Sequence, residues 1–231
     1  HNLQCRGTVL KVGIINVSGY AGSELAGLLL RHSEAEIVAV TGRSAAGKRV
    51  PEILPYLWEL DMPITKTIET SVDVVFSALP SGASAEVVVP IVKSGVRAVD
   101  IAADFRLHDP EIYQEAYGLD QVSPDLLSDA VYGLPELNRD AIKGASLVAN
   151  PGCYPTASIL ALAPAVRHGI VNDDSSFLLA ANSDTATVDT LEMSAIPLDR
   201  VSKILSSVKA QQKLTVIDAC RNNPETGRSD Q

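Results

Sequence analysis

The sequence predicts a doubly wound parallel α/β sheet, and three observations carry that expectation. Short apolar runs recur through residues 9–150 and alternate with helix-period segments, the pattern of parallel strands buried on both faces. A glycine-rich turn, Ser18-Gly19-Tyr20-Ala21-Gly22, follows the first run and opens a helix. The next apolar run begins within about 30 residues, the reach of one βαβ unit. At 231 residues, 46% hydrophobic and 20% charged, the chain has material for one large core or two small ones.

Taken in order, Val9 to Val17 reads as the first strand and Ser23 onward as a helix with Leu25, Leu28 and Leu29 on one face. Glu36 to Thr41 is the second strand, and Val72 to Ala78, Ala98 to Ala102 and Ser146 to Ala149 are further ones. A helix is expected over Ala83 to Ser94, stopped by Gly95, and another over Thr156 to Arg167. Beyond it, Phe177 to Asp184 reads as strand and loop, Ile196 to Val208 as an amphipathic helix and Lys213 to Ile217 as a strand. The expected domains are residues 1–150, a start of a second domain at 151–172, and an atypical tail at 173–231. There is no internal repeat or low-complexity tract.

A net charge of −9 argues against nucleic acid or an anionic membrane surface as partner. No apolar run reaches the roughly 20 residues that span a bilayer, and no secretory signal is visible. Cys5, Cys153 and Cys220 are widely spaced without a CxxC pair, which suggests neither a disulfide framework nor a metal site. A reducing cytoplasm is the expected compartment. The chain begins at His1 rather than Met, as a fragment or a cloning remnant would.

The turn region carries Gly13, Gly19 and Gly22, with Asn16 where the first glycine of a G-x-G-x-x-G motif would stand. Small residues at Ser18, Gly19, Ala21 and Gly22, around Tyr20, let backbone N–H groups approach a pyrophosphate at the helix N-terminus. A tight turn without a ligand is the alternative. The second strand ends in Thr41-Gly42-Arg43-Ser44-Ala45-Ala46-Gly47-Lys48, with no carboxylate to select the ribose 2′-hydroxyl of NAD. Arg43, Ser44 and Lys48 suit a 2′-phosphate instead, so NADP is the expected cofactor; a merely solvated loop is the competing reading. Leu79 and Pro80, after a later strand, are placed to line the nicotinamide.

Cys153 stands in Asn150-Pro-Gly-Cys-Tyr-Pro-Thr156, framed by two prolines ahead of a helical pattern. At a helix N-terminus the dipole favours the nucleophilic thiolate. Spacing alone reads equally well as a small buried Cys that only packs.

Four motifs then occur in one order: the Ser18 to Gly22 turn with Glu24-Leu25, Ala78-Leu79-Pro80, Ala103-Asp104-Phe105-Arg106, and Asn150 to Thr156. Tyr132-Gly-Leu-Pro-Glu136 lies between the last two. Together they resemble the N-acetyl-γ-glutamyl-phosphate reductases, arginine-biosynthesis relatives of aspartate-semialdehyde dehydrogenase, over residues 10 to 170. The resemblance implies NADPH-dependent reduction of an acyl phosphate to N-acetylglutamate semialdehyde, with Cys153 as the nucleophile that becomes a thioester. It also implies a small-molecule substrate site including Arg106 and Asn150; the family would suggest a homo-oligomer, but the usual interface domain is missing here. Arg106 as a donor to the substrate's phosphate or carboxylate, and Arg106 as a structural partner of Asp104, both stay open.

The resemblance stops after about Val171. Such reductases continue into a substrate and dimerisation domain with a His-Arg-His type acid/base motif, whereas the histidines here are His1, His32, His108 and His168, none in such a motif. The second domain is thus expected to be truncated or replaced and turnover impaired. Asp218-Ala-Cys220-Arg221 resembles the nucleophile strand of caspase-like (metacaspase, clan CD) peptidases, and His168-Gly169 lies about 50 residues upstream, the caspase spacing. A chimera with a His168/Cys220 dyad is the second reading, and a non-catalytic NADP-binding module the third.

Overall fold

The computed structural model describes residues 9–168 apart from 119, 121 and 122. The expected tail strands and helix, and Cys220, lie outside the described residues. The chain divides into two compact units, His1–Gly152 and Cys153–Gln231.

In the first unit seven strands form one parallel sheet. They are β1 (Leu10–Ile15), β2 (Ala35–Thr41), β3 (Ile64–Thr65), β4 (Val74–Ser77), β5 (Arg97–Asp100), β6 (Val131–Tyr132) and β7 (Leu147–Ala149). Their order is β3-β2-β1-β4-β5-β7-β6. The chain therefore runs outward from β1 to β3 and restarts on the other side at β4. That reversal between β1 and β4 is the switch point where doubly wound sheets bind ligands.

Six helices accompany the strands: α1 (Tyr20–Leu29), α2 (Val50–Ile53), α3 (Ser84–Lys93), α4 (Pro110–Tyr117), α5 (Pro124–Leu127) and α6 (Pro135–Gly144). Alternation along β1 sends Val12 and Ile14 into one core cluster, with Leu25 and Leu29 of α1 packed against it. Ile15 goes to another, with Val87 and Ile91 of α3. Both faces of the sheet are thus covered, which is why β1 reads as a continuous apolar run. A third cluster joins Ala85 and Val88 of α3 to Phe105, Leu127 and Leu147.

The structure corrects several expectations. Helix α1 starts at Tyr20 rather than Ser23, and Leu28 is exposed. Its buried positions are the small residues Gly22, Ser23 and Ala26, which let the helix lie close to the sheet while Leu25 and Leu29 flank the contact. Gly13 lies within β1, not in the turn; a Cβ there would meet Ile68, Val72 and Val75, so it is a packing position. Helices α2, α4, α5 and α6 and strands β3 and β6 had no place in the sequence reading. Of these, α4 has a clear local code: the Asp109 carboxyl accepts from the N–H groups of Glu111 and Ile112, Pro110 follows it, and Gly118 ends the helix at φ 65°.

Of the second unit the structure describes α7 (Cys153–Arg167), which begins three residues earlier than expected. Pro155 fits in its first turn because no intrahelical N–H bond is required there.

Candidate functional site

The turn after β1 is built around Asn16. Its φ of 66° is left-handed, a conformation Asn tolerates better than most residues, so it does the work of the missing first glycine. Its Nδ2 donates to the Ala78 carbonyl at 2.9 Å, and its backbone N–H reaches Thr41 Oγ1 at 3.4 Å. One residue, through its backbone N–H and its side chain, thereby joins the ends of β1, β2 and β4 across the switch point. The Gly19 N–H closes the turn on the Asn16 carbonyl at 3.2 Å.

Gly22 makes this turn possible. A Cβ there would stand 2.2 Å from the Asn16 carbonyl oxygen and 3.0 Å from Val17 Cα, both backbone atoms that cannot step aside. Gly22→Ala is expected to displace the turn and weaken dinucleotide binding about tenfold or more, while the fold survives. Isothermal titration with NADPH checks this; wild-type affinity in the variant would show that the turn does not form the site.

Ser18, Gly19, Tyr20, Ala21 and Gly22 all fall on this turn and the first residues of α1. Gly19 caps α1 without a side-chain bond, and the first turn carries no acidic residue, so its N–H groups remain available to an anion.

A cavity of about 310 Å³ opens at the carboxyl ends of β1, β2 and β4. Its lining includes Asn16, Thr41, Gly42 and Arg43, with Ile15, Leu79, Val87 and Ile91 as an apolar wall. Of the residues expected to hold the cofactor, Arg43 and Leu79 reach it. Ser44, Lys48 and Pro80 are exposed and do not line it. Lys66 and Thr67 do, and the sequence reading missed them because β3 is only two residues long and shows no periodicity. A wider depression of about 550 Å³ follows Pro135 to Ala141 along α6 alone.

A buried polar network lies beside this cleft where β4, β5 and α3 meet. The Ser77 and Ser84 hydroxyls are 2.6 Å apart, and Ser84 Oγ donates to Asp100 Oδ1 at 2.5 Å. Burial pushes the Asp100 carboxyl up to about 6, against the Ser84 hydroxyl and the Ala102 N–H, which favour its charged form. Asp104 accepts from the N–H groups of Gly82, Ser84 and Ala85 at 2.7, 3.1 and 3.0 Å, capping α3 from 20 residues away. The Tyr113 hydroxyl adds a fourth bond at 2.7 Å, and burial, then Asp104, pushes that phenol upward.

The described hydrogen bonds of Arg106 go to main-chain carbonyls. Its Nε donates to the Asn150 carbonyl at 2.8 Å and an Nη to the Ile101 carbonyl at 2.7 Å. Asn150 is also held through its own N–H on the Asp100 carbonyl at 2.8 Å. The segment leading to Cys153 is therefore braced by its main chain. Cys153 is the first residue of α7, and its thiol is free and exposed. His168 is exposed at the end of α7, its N–H on the Pro164 carbonyl. Among the described residues no helix is long and apolar enough to cross a membrane.

Comparison with known proteins agrees with this geometry. Residues 11–145 match the family model described as semialdehyde dehydrogenase, NAD binding domain. An N-acetyl-γ-glutamyl-phosphate reductase of Dehalococcoides mccartyi is 50% identical over 185 residues, covering 78% of this chain and 54% of that protein. The reductase of the same name from Desulforudis audaxviator is 44% identical over 172 residues, 71% of this chain and 49% of that one. The chain spans about half the length of the curated relatives it matches. In structure it resembles aspartate semialdehyde dehydrogenase with NADP from Candida albicans, at a TM-score of 0.52 and 22% identity, covering 70% of this chain and 48% of that chain, which shows a common fold. Neither the family match nor these relatives supports the caspase-like reading of the tail. With a nicotinamide-dinucleotide fold, a glycine turn at its switch point and a family match over more than half its length, the chain belongs to the semialdehyde dehydrogenase family through its NAD-binding domain.

Proposed function

We propose that this chain is the cofactor-binding and nucleophile-bearing part of an N-acetyl-γ-glutamyl-phosphate reductase that uses NADPH. The observation that carries the reading is the exposed, free Cys153 thiol in the first turn of α7, four residues past the end of β7, in a chain half identical to reductases of that name. Cys153 Sγ, its proton given up to solvent, attacks the acyl carbon of the substrate; a C–S bond forms, the bond from that carbon to the phosphate oxygen breaks, and phosphate leaves with the electron pair. The first-turn N–H groups of α1 and the Ser18 to Gly22 turn would hold the pyrophosphate, and Arg43 the 2′-phosphate. Leu79 would flank the nicotinamide, which when bound supplies the hydride. Arg106, with two nitrogens already on carbonyl oxygens, keeps its remaining donors for the substrate's phosphate, beside Asn150. The reading places the chain in the cytoplasm, with neither nucleic acid nor membrane as partner.

The test is intact-mass spectrometry after incubation with the N-acetylglutamyl acyl phosphate. The expected result is one acyl adduct, mapped to Cys153 by peptide digestion and lost in Cys153→Ser. NADPH binding without any adduct would instead support a non-catalytic dinucleotide-binding module.

A further inference from the structure

Strands β2 and β3 end side by side, with Val40 opposite Ile64 and Thr41 opposite Thr65. The Gly42 N–H fixes that register on the Thr65 carbonyl at 3.0 Å. The first cations past the two strands, Arg43 and Lys66, therefore leave the sheet at the same edge, and both line the 310 Å³ cavity. Neither has an ion-pair partner among the described residues, and no Asp or Glu lines the cavity, in a chain of net charge −9. Thr65 Oγ1 donates to the Thr67 carbonyl at 2.7 Å, which turns the Lys66-Thr67 segment at the cavity edge. Ile68, Val87 and Ile91 give an apolar surface suited to a flat heterocycle. The other cations of this region are elsewhere: Arg49 bonds the Asp61 side chain and carbonyl at 2.6 and 2.7 Å, and Lys48 does not line the cavity.

We propose that Lys66 is the second member of a cation pair with Arg43 that recognises a phosphate on the 2′-position of an adenosine ribose, and that Lys48 has no share in it. This rests on the NADP reading above. A 2′-phosphate carries nearly two negative charges and three acceptor oxygens. The Arg43 fork takes two of those oxygens, and the Lys66 ammonium meets the phosphate as a point charge. A 2′-hydroxyl satisfies neither cation.

The experiment is isothermal titration of the full chain with 2′,5′-ADP and with 5′-AMP, for wild type, Lys66→Ala, Lys66→Arg and Lys48→Ala. Wild type is expected to prefer 2′,5′-ADP. Lys66→Ala should raise its Kd about tenfold or more, as loss of a charge-assisted bond does, and leave 5′-AMP within about twofold. Retained 5′-AMP binding reports an intact fold. Lys66→Arg should keep most of the preference, and Lys48→Ala all of it. An unchanged Kd for 2′,5′-ADP in Lys66→Ala, or a loss carried by Lys48→Ala, overturns the assignment and leaves the NADP reading standing. Equal wild-type affinity for the two nucleotides, or binding of neither, overturns both.

Discussion

Replacing Asp104 with Ala is expected to destabilise the fold by about 4 kcal/mol, the largest loss among the single changes considered. The side chain accepts from three backbone N–H groups at the start of α3 and from the Tyr113 hydroxyl. Ser84, Ala85 and Tyr113 are buried, so water does not replace the lost acceptor. A capping residue alone contributes about 1 kcal/mol, and each orphaned buried donor adds about 1 to 3 kcal/mol. Asp104→Asn keeps one acceptor oxygen but turns an amide NH₂ toward other donors, and should fall between the two. Equilibrium urea unfolding measures both; a loss below about 1 kcal/mol for the Ala variant would mean the cap is dispensable.

Asp100→Asn is expected to act in the opposite direction, and to do so only away from acid. Asp100 is fully buried, its carboxyl is raised from 3.8 to about 6, and its Oδ2 has no hydrogen-bond partner among the described residues. A carboxyl with a raised folded value favours folding fully below its unfolded value, and that advantage is lost as pH rises through about 6. At neutral pH the ionised group thus costs about 3 kcal/mol, from a shift of about two units. Asparagine keeps an oxygen for the Ser84 hydroxyl and the Ala102 N–H, both now on Oδ1, without the charge. Its NH₂ takes the place of the unpartnered oxygen and offsets about 1 kcal/mol of the gain. That offset is the same at every pH, and the part of the Asp100 titration between pH 4.5 and 7.5 makes the stability of Asp100→Asn relative to wild type rise by about 2 kcal/mol across that range. Chemical unfolding at the two pH values decides it, and a difference independent of pH would mean that Asp100 is not the group titrating.

The expectations that held were those written in local pattern. The βαβ unit around Ser18 to Gly22 was legible because β1 is buried on both faces and so reads as an unbroken apolar run. The Ala83 to Ser94 helix was legible because Gly95 stops it at φ 92°. Leu28 misled because helical periodicity marks an apolar face but not how close that face lies to its partner. Gly22 and Ala26 bring α1 close enough that the contact centres on small residues and leaves Leu28 in solvent. Strands β3 and β6 span two residues each, too short for any period to register.

The sequence by itself determined the fold class, the family resemblance and the position of Cys153 at a helix start. Each of these depends on residues close together in the chain: a turn between a strand and a helix, a proline-framed thiol, an ordered set of short motifs. Only the tertiary structure decided the partners of Arg106, the role of Asp104 and the place of Lys66. Arg106 reaches Asn150 across 44 residues, Asp104 caps a helix 20 residues upstream, and strand pairing brings Lys66 to the cavity that Arg43 also lines. A side chain's donors and acceptors are matched by whatever the sheet brings beside them. Charge and spacing along the chain carry no record of that match until the parallel register is formed.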